Sequence, residues 1–193
     1  MRIFRRQFIS LLAGITLSGI TMAAQAADMP KVSLKTSMGE IVLELNPAAA
    51  PKTVDNFLAY VKSGQYKDVI FHRVMNGFMI QGGGFDKSMT QKGNLRPPIQ
   101  NEAANGLKNE PYTIAMARTS DPHSASAQFF INVNNNEMLN YPGRDGWGYA
   151  VFGKVVAGMD VVDKIKLVDV ANHSGHANVP VAPVVILSAT RLN

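Results

Sequence analysis

The stretch FHRVMNGFMIQGGG, positions 71–84, carries His72, Arg73 and Gln81 inside a segment that otherwise has the apolar content of a core strand. Three strong hydrogen-bonding groups in such a place ask for something to bind. Arginine presents a planar fork of donors and stays protonated at any physiological pH. Arg73 therefore suits the stabilisation of charge that develops at a fixed point, and does not suit moving a proton. Taken alone, Arg73 also fits an arginine at a barrel edge paired with a carboxylate. His72 fits a hydrogen-bonded structural histidine, while Gln81 and Gln128 fit either a binding groove or the capping of backbone groups.

Other chemistries find little support. Gly82, Gly83 and Gly84 lack the Lys-Ser/Thr ending of a phosphate loop, so they are expected to give backbone freedom at a strand exit. His173 and His176 sit close together in HSGH with no cysteine or carboxylate beside them, which argues against a closed zinc site and for a surface loop before the last strand. Ser124 and Ser126 have only His123 as a neighbour, and no Gly-x-Ser-x-Gly elbow is present. No metal, cofactor or covalent nucleophile is expected.

The elements that must position these residues follow from periodicity. Val32, Leu34, Ile41, Leu43 and Leu45 alternate around a turn at 37–40, a hairpin pattern. Val54, Phe57, Leu58 and Val61 recur at helical spacing, with Pro51 suited to the first turn and Gly64 to the end. Further strands are predicted at 69–74, 78–81, 112–118, 128–133, 150–156 and 184–192. A second, shorter helix is predicted at 160–166, where Val161, Val162 and Ile165 form one stripe. Many short strands with two helices imply a closed or sandwiched antiparallel sheet. The long Gly- and Asn-rich connection over 82–109 is expected to wrap the surface near the site.

Composition fits one globular domain: 193 residues, 46% hydrophobic and 17% charged, without internal repeat. The first 26 positions have a basic start (Arg2, Arg5, Arg6), an apolar run over 8–23 and small residues at the end, the layout of a cleavable secretory signal. The run is interrupted by Gly14 and Gly19 and falls short of the roughly 18 apolar residues of a spanning helix. Cleavage is expected after Ala26, leaving 27–193 as a single domain with no stable membrane association. The pair Arg5-Arg6 fits a general or a twin-arginine export route. With no cysteine, the exported fold must rely on its core. Of the formal charge of +5, three positive charges belong to the leader, and the remaining basic residues are scattered, so no nucleic-acid partner is expected.

Five blocks, FHRVMNGFMIQGG, IQNEAANGLKN, TIAMAR, SAQFFINV and YAVFGKVVAGMDVVDKI, occur in the order found in the cyclophilin family of peptidyl-prolyl cis-trans isomerases, and the chain resembles that family over nearly all of its length after the leader. The resemblance implies a mainly β fold, an eight-stranded antiparallel barrel capped by two helices, with a substrate groove on its outer face. Together with the leader it points to an exported, periplasmic bacterial member. Carried over by motif, Arg73 is the catalytic arginine and Phe78, Met79, Phe130 and Leu139 form the proline pocket. His72, Gln81, Ala117, Arg118, Gln128, Met138 and Tyr149 complete the substrate-binding groove. Tyr149 stands where many eukaryotic members have histidine, Met138 where they have tryptophan, and Arg118 where they usually have asparagine. The segment TSDPHSASAQ is one residue longer than theirs.

The implied activity is rotation of X-Pro bonds in unfolded or flexible exported proteins, by a monomer that assists folding. A proline-peptide binding module or holdase with incidental catalysis is the alternative, and a barrel that binds a small ligand in its lumen is disfavoured by bulky inward residues. The family is commonly inhibited by cyclosporin, and a tryptophan at the groove edge assists that binding. With Met138 in that place, weak cyclosporin binding is expected.

Overall fold

The computed structural model describes residues 29–192; the expected leader lies outside the described residues. The chain opens with the predicted hairpin. β1 (Lys31–Thr36) and β2 (Gly39–Leu45) pair antiparallel with Leu34 opposite Ile41 and Val32 opposite Leu43. The alternation sends Val32, Leu34, Ile41, Leu43 and Leu45 into the core, each without exposed surface. α1 (Pro51–Ser63) begins at a proline, whose missing N–H is one the first turn leaves unpaired anyway. It ends at Gly64, whose φ of 73° lies in the left-handed region that glycine enters freely. Its N-cap, Ala50, has no side-chain acceptor. The long connection supplies one instead. The Glu102 carboxylate accepts from the Lys52 and Thr53 backbone N–H groups at 3.1 and 2.8 Å.

The remaining elements are β3 (Val69–Met75), β4 (Met79–Asp86), β5 (Thr113–Met116), β6 (Phe129–Asn132), β7 (Val151–Ala157), α2 (Met159–Ile165), β8 (Val170–His173), β9 (His176–Pro180) and β10 (Val185–Leu192). Eight strands close into an antiparallel barrel in the order β1-β10-β3-β4-β6-β5-β7-β2, and β8 and β9 form a separate two-stranded sheet. Side chains fill the interior. Phe57 from α1 meets Phe129 and Phe152 with ring centroids 5.6 and 5.2 Å apart, and the buried Tyr66 hydroxyl donates to the Ala127 carbonyl at 2.9 Å. Val161, Val162 and Ile165 of α2 are buried in the same core. A small barrel packed in this way has no lumen for a ligand.

Two expectations need correction. The glycine triplet does not mark a strand exit, because β4 runs through it to Asp86. Between Val69 and Phe71 the ladder advances from Asp86 to Gly82, so β4 bulges there, and Gly83 takes a φ of 89° to allow it. Neighbours also press close: a Cβ on Gly82 would stand 3.0 Å from the Phe71 ring, and one on Gly84 2.6 Å from the Gln128 side chain. The HSGH segment is not a loop but the turn of the β8–β9 hairpin, with His173 opposite His176. The hairpin lays Val179 onto Ile70, Met89 and Val185 on the outside of the barrel.

Candidate active site

A second bulge aims Arg73. In the β3–β4 ladder Phe71 pairs with Gly82 and Arg73 with Gln81, so β3 spends two steps where β4 spends one. In a strand without a bulge, period-two alternation would put Phe71 and Val74, three steps apart, on opposite faces. Both belong to the interior cluster. His72 and Arg73 therefore both turn outward, and Arg73 reaches the outer face beside Gln81.

On that face a cavity of about 110 Å³ is lined by Arg73, Phe78, Met79, Gln81, Ala117, Arg118, Phe130, Leu139 and Tyr149. Its floor is apolar and deep: Met79 and Phe130 are 2% and 4% exposed and pack with buried Ala115 and Val151. Tyr149 stands edge-on to Phe130, with ring centroids 5.8 Å apart. Arg73 holds its guanidinium carbon 6.0 Å from the Phe78 ring centroid. Among the described residues no carboxylate pairs with it, so the barrel-edge ion pair does not form. The Gln81 amide Nε2 donates to Oε1 of Gln128 at 3.0 Å.

Three residues expected in the groove stand off the cavity. Gln128 is reached through Gln81. Met138 is 53% exposed at the rim, one residue before Leu139. His72 turns away from the cavity and is 4% exposed, with its ring 4.7 Å from that of Phe85, which in turn lies 5.1 Å from His176. Its Nδ1 has no hydrogen-bond partner among the described residues. Burial, with His176 and Arg73 nearby, lowers its pKa from 6.5 to about 4.

Sequence reasoning overlooked a buried amide network behind the pocket. Asn132 donates to Asn109 at 3.1 Å, and Asn136 donates to Asn132 at 2.6 Å and to the Phe78 carbonyl at 2.8 Å. Asn109 donates its backbone N–H to Asn140 at 2.7 Å. These contacts fix Phe78 from behind and anchor the turn that carries Leu139. The run NVNNNEMLN is the signal, because asparagines crowded between two pocket residues have to be satisfied somewhere.

A closed, side-chain-filled barrel with an arginine and an apolar cavity on its outer wall points to an isomerase that grips proline. The model of the cyclophilin type peptidyl-prolyl cis-trans isomerase/CLD family matches residues 31–191. The chain belongs to this family and is a peptidyl-prolyl cis-trans isomerase.

Its relatives include peptidyl-prolyl cis-trans isomerase cyp18 of Streptomyces antibioticus, 64% identical over 83% of this chain and 98% of that protein. Peptidyl-prolyl cis-trans isomerase B of Escherichia coli K12 is 55% identical over 82% and 98%. Peptidyl-prolyl cis-trans isomerase A of Dickeya dadantii is 49% identical over 96% of each. Among solved structures, a cyclophilin type isomerase of Cryptosporidium parvum superposes with a TM-score of 0.70 at 26% identity, covering 86% of this chain and 99% of that one. A second structure of it, determined in the presence of the dipeptide Ala-Pro, gives 0.69 at the same identity, covering 84% and 99%.

Proposed function

We propose that Arg73 is the catalytic residue of this isomerase and that the protein acts in the periplasm, as a monomer, on X-Pro bonds of exported polypeptides during folding. The observation that carries the reading is an arginine with no carboxylate partner among the described residues, beside an apolar cavity. X-Pro rotation crosses a barrier of about 18–20 kcal/mol because the C–N bond has partial double-bond character. As the amide twists, conjugation is lost and a lone pair localises on the proline nitrogen. A fixed guanidinium that donates to that lone pair binds the twisted state better than either planar state, which is what lowers a barrier.

The floor formed by Met79 and Phe130 takes the pyrrolidine ring and gains roughly 25 cal/mol per Å² buried. Proton transfer has no part in the reaction. Arginine as a residue type stays protonated at physiological pH, and the lowered pKa keeps His72 neutral there. Support for an X-Pro ligand comes from the Cryptosporidium relative studied with Ala-Pro. The leader motivates the periplasmic location, where proline isomerisation is one of the slow steps left to a cysteine-free client.

The test compares residues 27–193 with the Arg73→Ala variant in an X-Pro peptide isomerisation assay, alongside fractionation of cells that express the full chain. Equal turnover by a folded variant overturns the catalytic role, and retention of the protein in the cytoplasm overturns the location.

A further inference from the structure

The cavity has a second arginine in a different situation from the first. The Arg118 side chain is 3% exposed. Its Nε and Nη2 both donate to the Gly148 carbonyl, at 3.1 and 3.0 Å, and its Nη1 donates to the Thr119 carbonyl at 2.9 Å. Nη2 also pairs with the Asp145 carboxylate, and the guanidinium carbon sits 4.3 Å from the centroid of the Tyr149 ring. Almost every donor of Arg118 is thus taken up by the protein. We infer that Arg118 is a positioning residue: it brackets the segment 145–148 and holds the Tyr149 ring in place as a wall of the proline cavity, and it does not donate to the substrate.

The segment needs such a bracket because little else fixes it. Between Leu139 and Tyr149 the chain makes an irregular excursion, YPGRDGWG, closed at its neck by the Tyr149 backbone N–H donating to the Leu139 carbonyl at 2.8 Å. Leu139 and Tyr149 both line the cavity, so the geometry of the neck is the geometry of one wall. Gly148 makes the neck possible with a φ of 66°, and a Cβ there would stand 2.6 Å from the Tyr141 nitrogen. That conformation turns the Gly148 carbonyl toward Arg118 and toward the Asn101 side chain, which donates to it at 3.2 Å. Asp145 closes the bracket from inside, its Oδ1 accepting the Trp147 and Gly148 backbone N–H groups at 3.0 and 3.1 Å. These bonds, with that of Arg118 foremost, hold its carboxyl well below the usual carboxylate range. A planar fork can chelate one carbonyl and lie against a ring together; a lysine ammonium is a point charge and cannot do both.

The inference rests on the proposed role of Arg73 and separates from it by which kinetic parameter moves. A displaced Tyr149 loosens the grip on the proline, which appears in KM, whereas loss of a donor to the twisted state appears in kcat. Trp147, the single tryptophan of the chain, is 43% exposed and packs its ring 4.9 Å from that of His123. Its fluorescence therefore reports on the segment without any turnover.

The experiment measures kcat, KM and Trp147 quenching by acrylamide for residues 27–193 and for Arg118→Ala, Arg118→Lys and Asp145→Asn. Arg118→Ala and Arg118→Lys are both expected to raise KM about tenfold, with kcat changed less than about threefold, and to make Trp147 more quenchable. Asp145→Asn keeps the Oδ1 acceptor and loses the charge, so a smaller change of the same kind is expected. A lysine variant that restores KM and quenching overturns the inference, since a point charge facing substrate would then suffice. So does a fall in kcat at constant KM, or unchanged KM in a variant that is merely less heat-stable. If Arg118→Ala does not fold, the lysine and asparagine variants decide by the same criteria. Should Arg73→Ala prove fully active, the catalytic reading fails while the quenching result still stands or falls alone.

Discussion

Gln81 donates to Gln128 at 3.0 Å although its partner across the strand ladder is Arg73. That bond turns the Gln81 amide N–H group toward Gln128, and among the described residues no carboxylate pairs with Arg73, so its donors are left for a ligand. Arg73→Ala is accordingly expected to lower kcat/KM at least about tenfold, a loss of more than about 1.4 kcal/mol of transition-state stabilisation. The fold should survive, because the side chain carries no ion pair to break. An X-Pro peptide assay with a circular dichroism control decides it.

The amide pair itself can be broken from behind. A methyl group on Gly84 would stand 2.6 Å from the Gln128 side chain, which is flexible and can move aside. Gly84→Ala should therefore displace Gln128 and deprive Gln81 of its acceptor. A several-fold loss of kcat/KM is expected with unfolding free energy changed by less than about 1 kcal/mol. Full activity in a folded Gly84→Ala protein would show that the pair does not matter for turnover.

Activity and stability should part company as pH falls. His72, next to Arg73 in the chain, has a pKa lowered to about 4, and the proposed reaction transfers no proton, so the rate should be flat between about pH 6 and pH 8. Below that window the unfolded chain binds a proton at His72 near pH 6.5 while the folded chain resists until about 4. Stability is therefore complete above pH 6.5 and declines as pH falls toward 4, by at most about 3 kcal/mol from this residue at about 1.4 kcal/mol per unit. Urea midpoints at pH 7 and pH 4.5 should differ less in His72→Gln than in the unmodified protein. An equal difference in both removes His72 as the cause.

Met138 is a half-exposed rim residue next to Leu139 of the cavity. A thioether offers contact area without the N–H of an indole, so weak cyclosporin inhibition is expected, with tighter inhibition and similar turnover in Met138→Trp. Titration of both proteins with cyclosporin in one isomerase assay compares them. Equal, tight inhibition would take Met138 out of the inhibitor's reach.

Much of the barrel was legible because its strands are half-buried and its helices are punctuated. The alternation around 37–40 and the Pro51 and Gly64 boundaries needed nothing beyond local chemistry. What stayed hidden depends on pairing. No local pattern says that His72 is an extra residue in a bulge, or that a hairpin will cover it and leave only its neighbour in the cavity. β8 is exposed along its whole length, so it has no apolar period to find. The glycine triplet was visible, but its reason is the closeness of Phe71 and Gln128, which only the fold reveals. The pocket residues became recognisable through their family motifs, because in composition they are ordinary core. The Arg118 bracket and the asparagine network join positions far apart in the chain, and neither leaves a periodic trace.

Closure of the barrel has a consequence for the company this protein keeps. Unfolded chains carry backbone N–H and C=O groups that still seek partners, and an open sheet offers them a template. In this ladder each of the eight strands has a neighbour on both sides, so an unfinished chain finds no free edge there to extend. The cavity lies on the outer wall instead, where apolar side chains and two arginines stand apart from the strand ladder. Of the described strands, β8 and β9 alone stand outside the ring, and β8 is short and half polar, with an asparagine and a histidine among its four residues. The topology thus keeps strand pairing and the cavity apart, before any side chain in the groove is chosen.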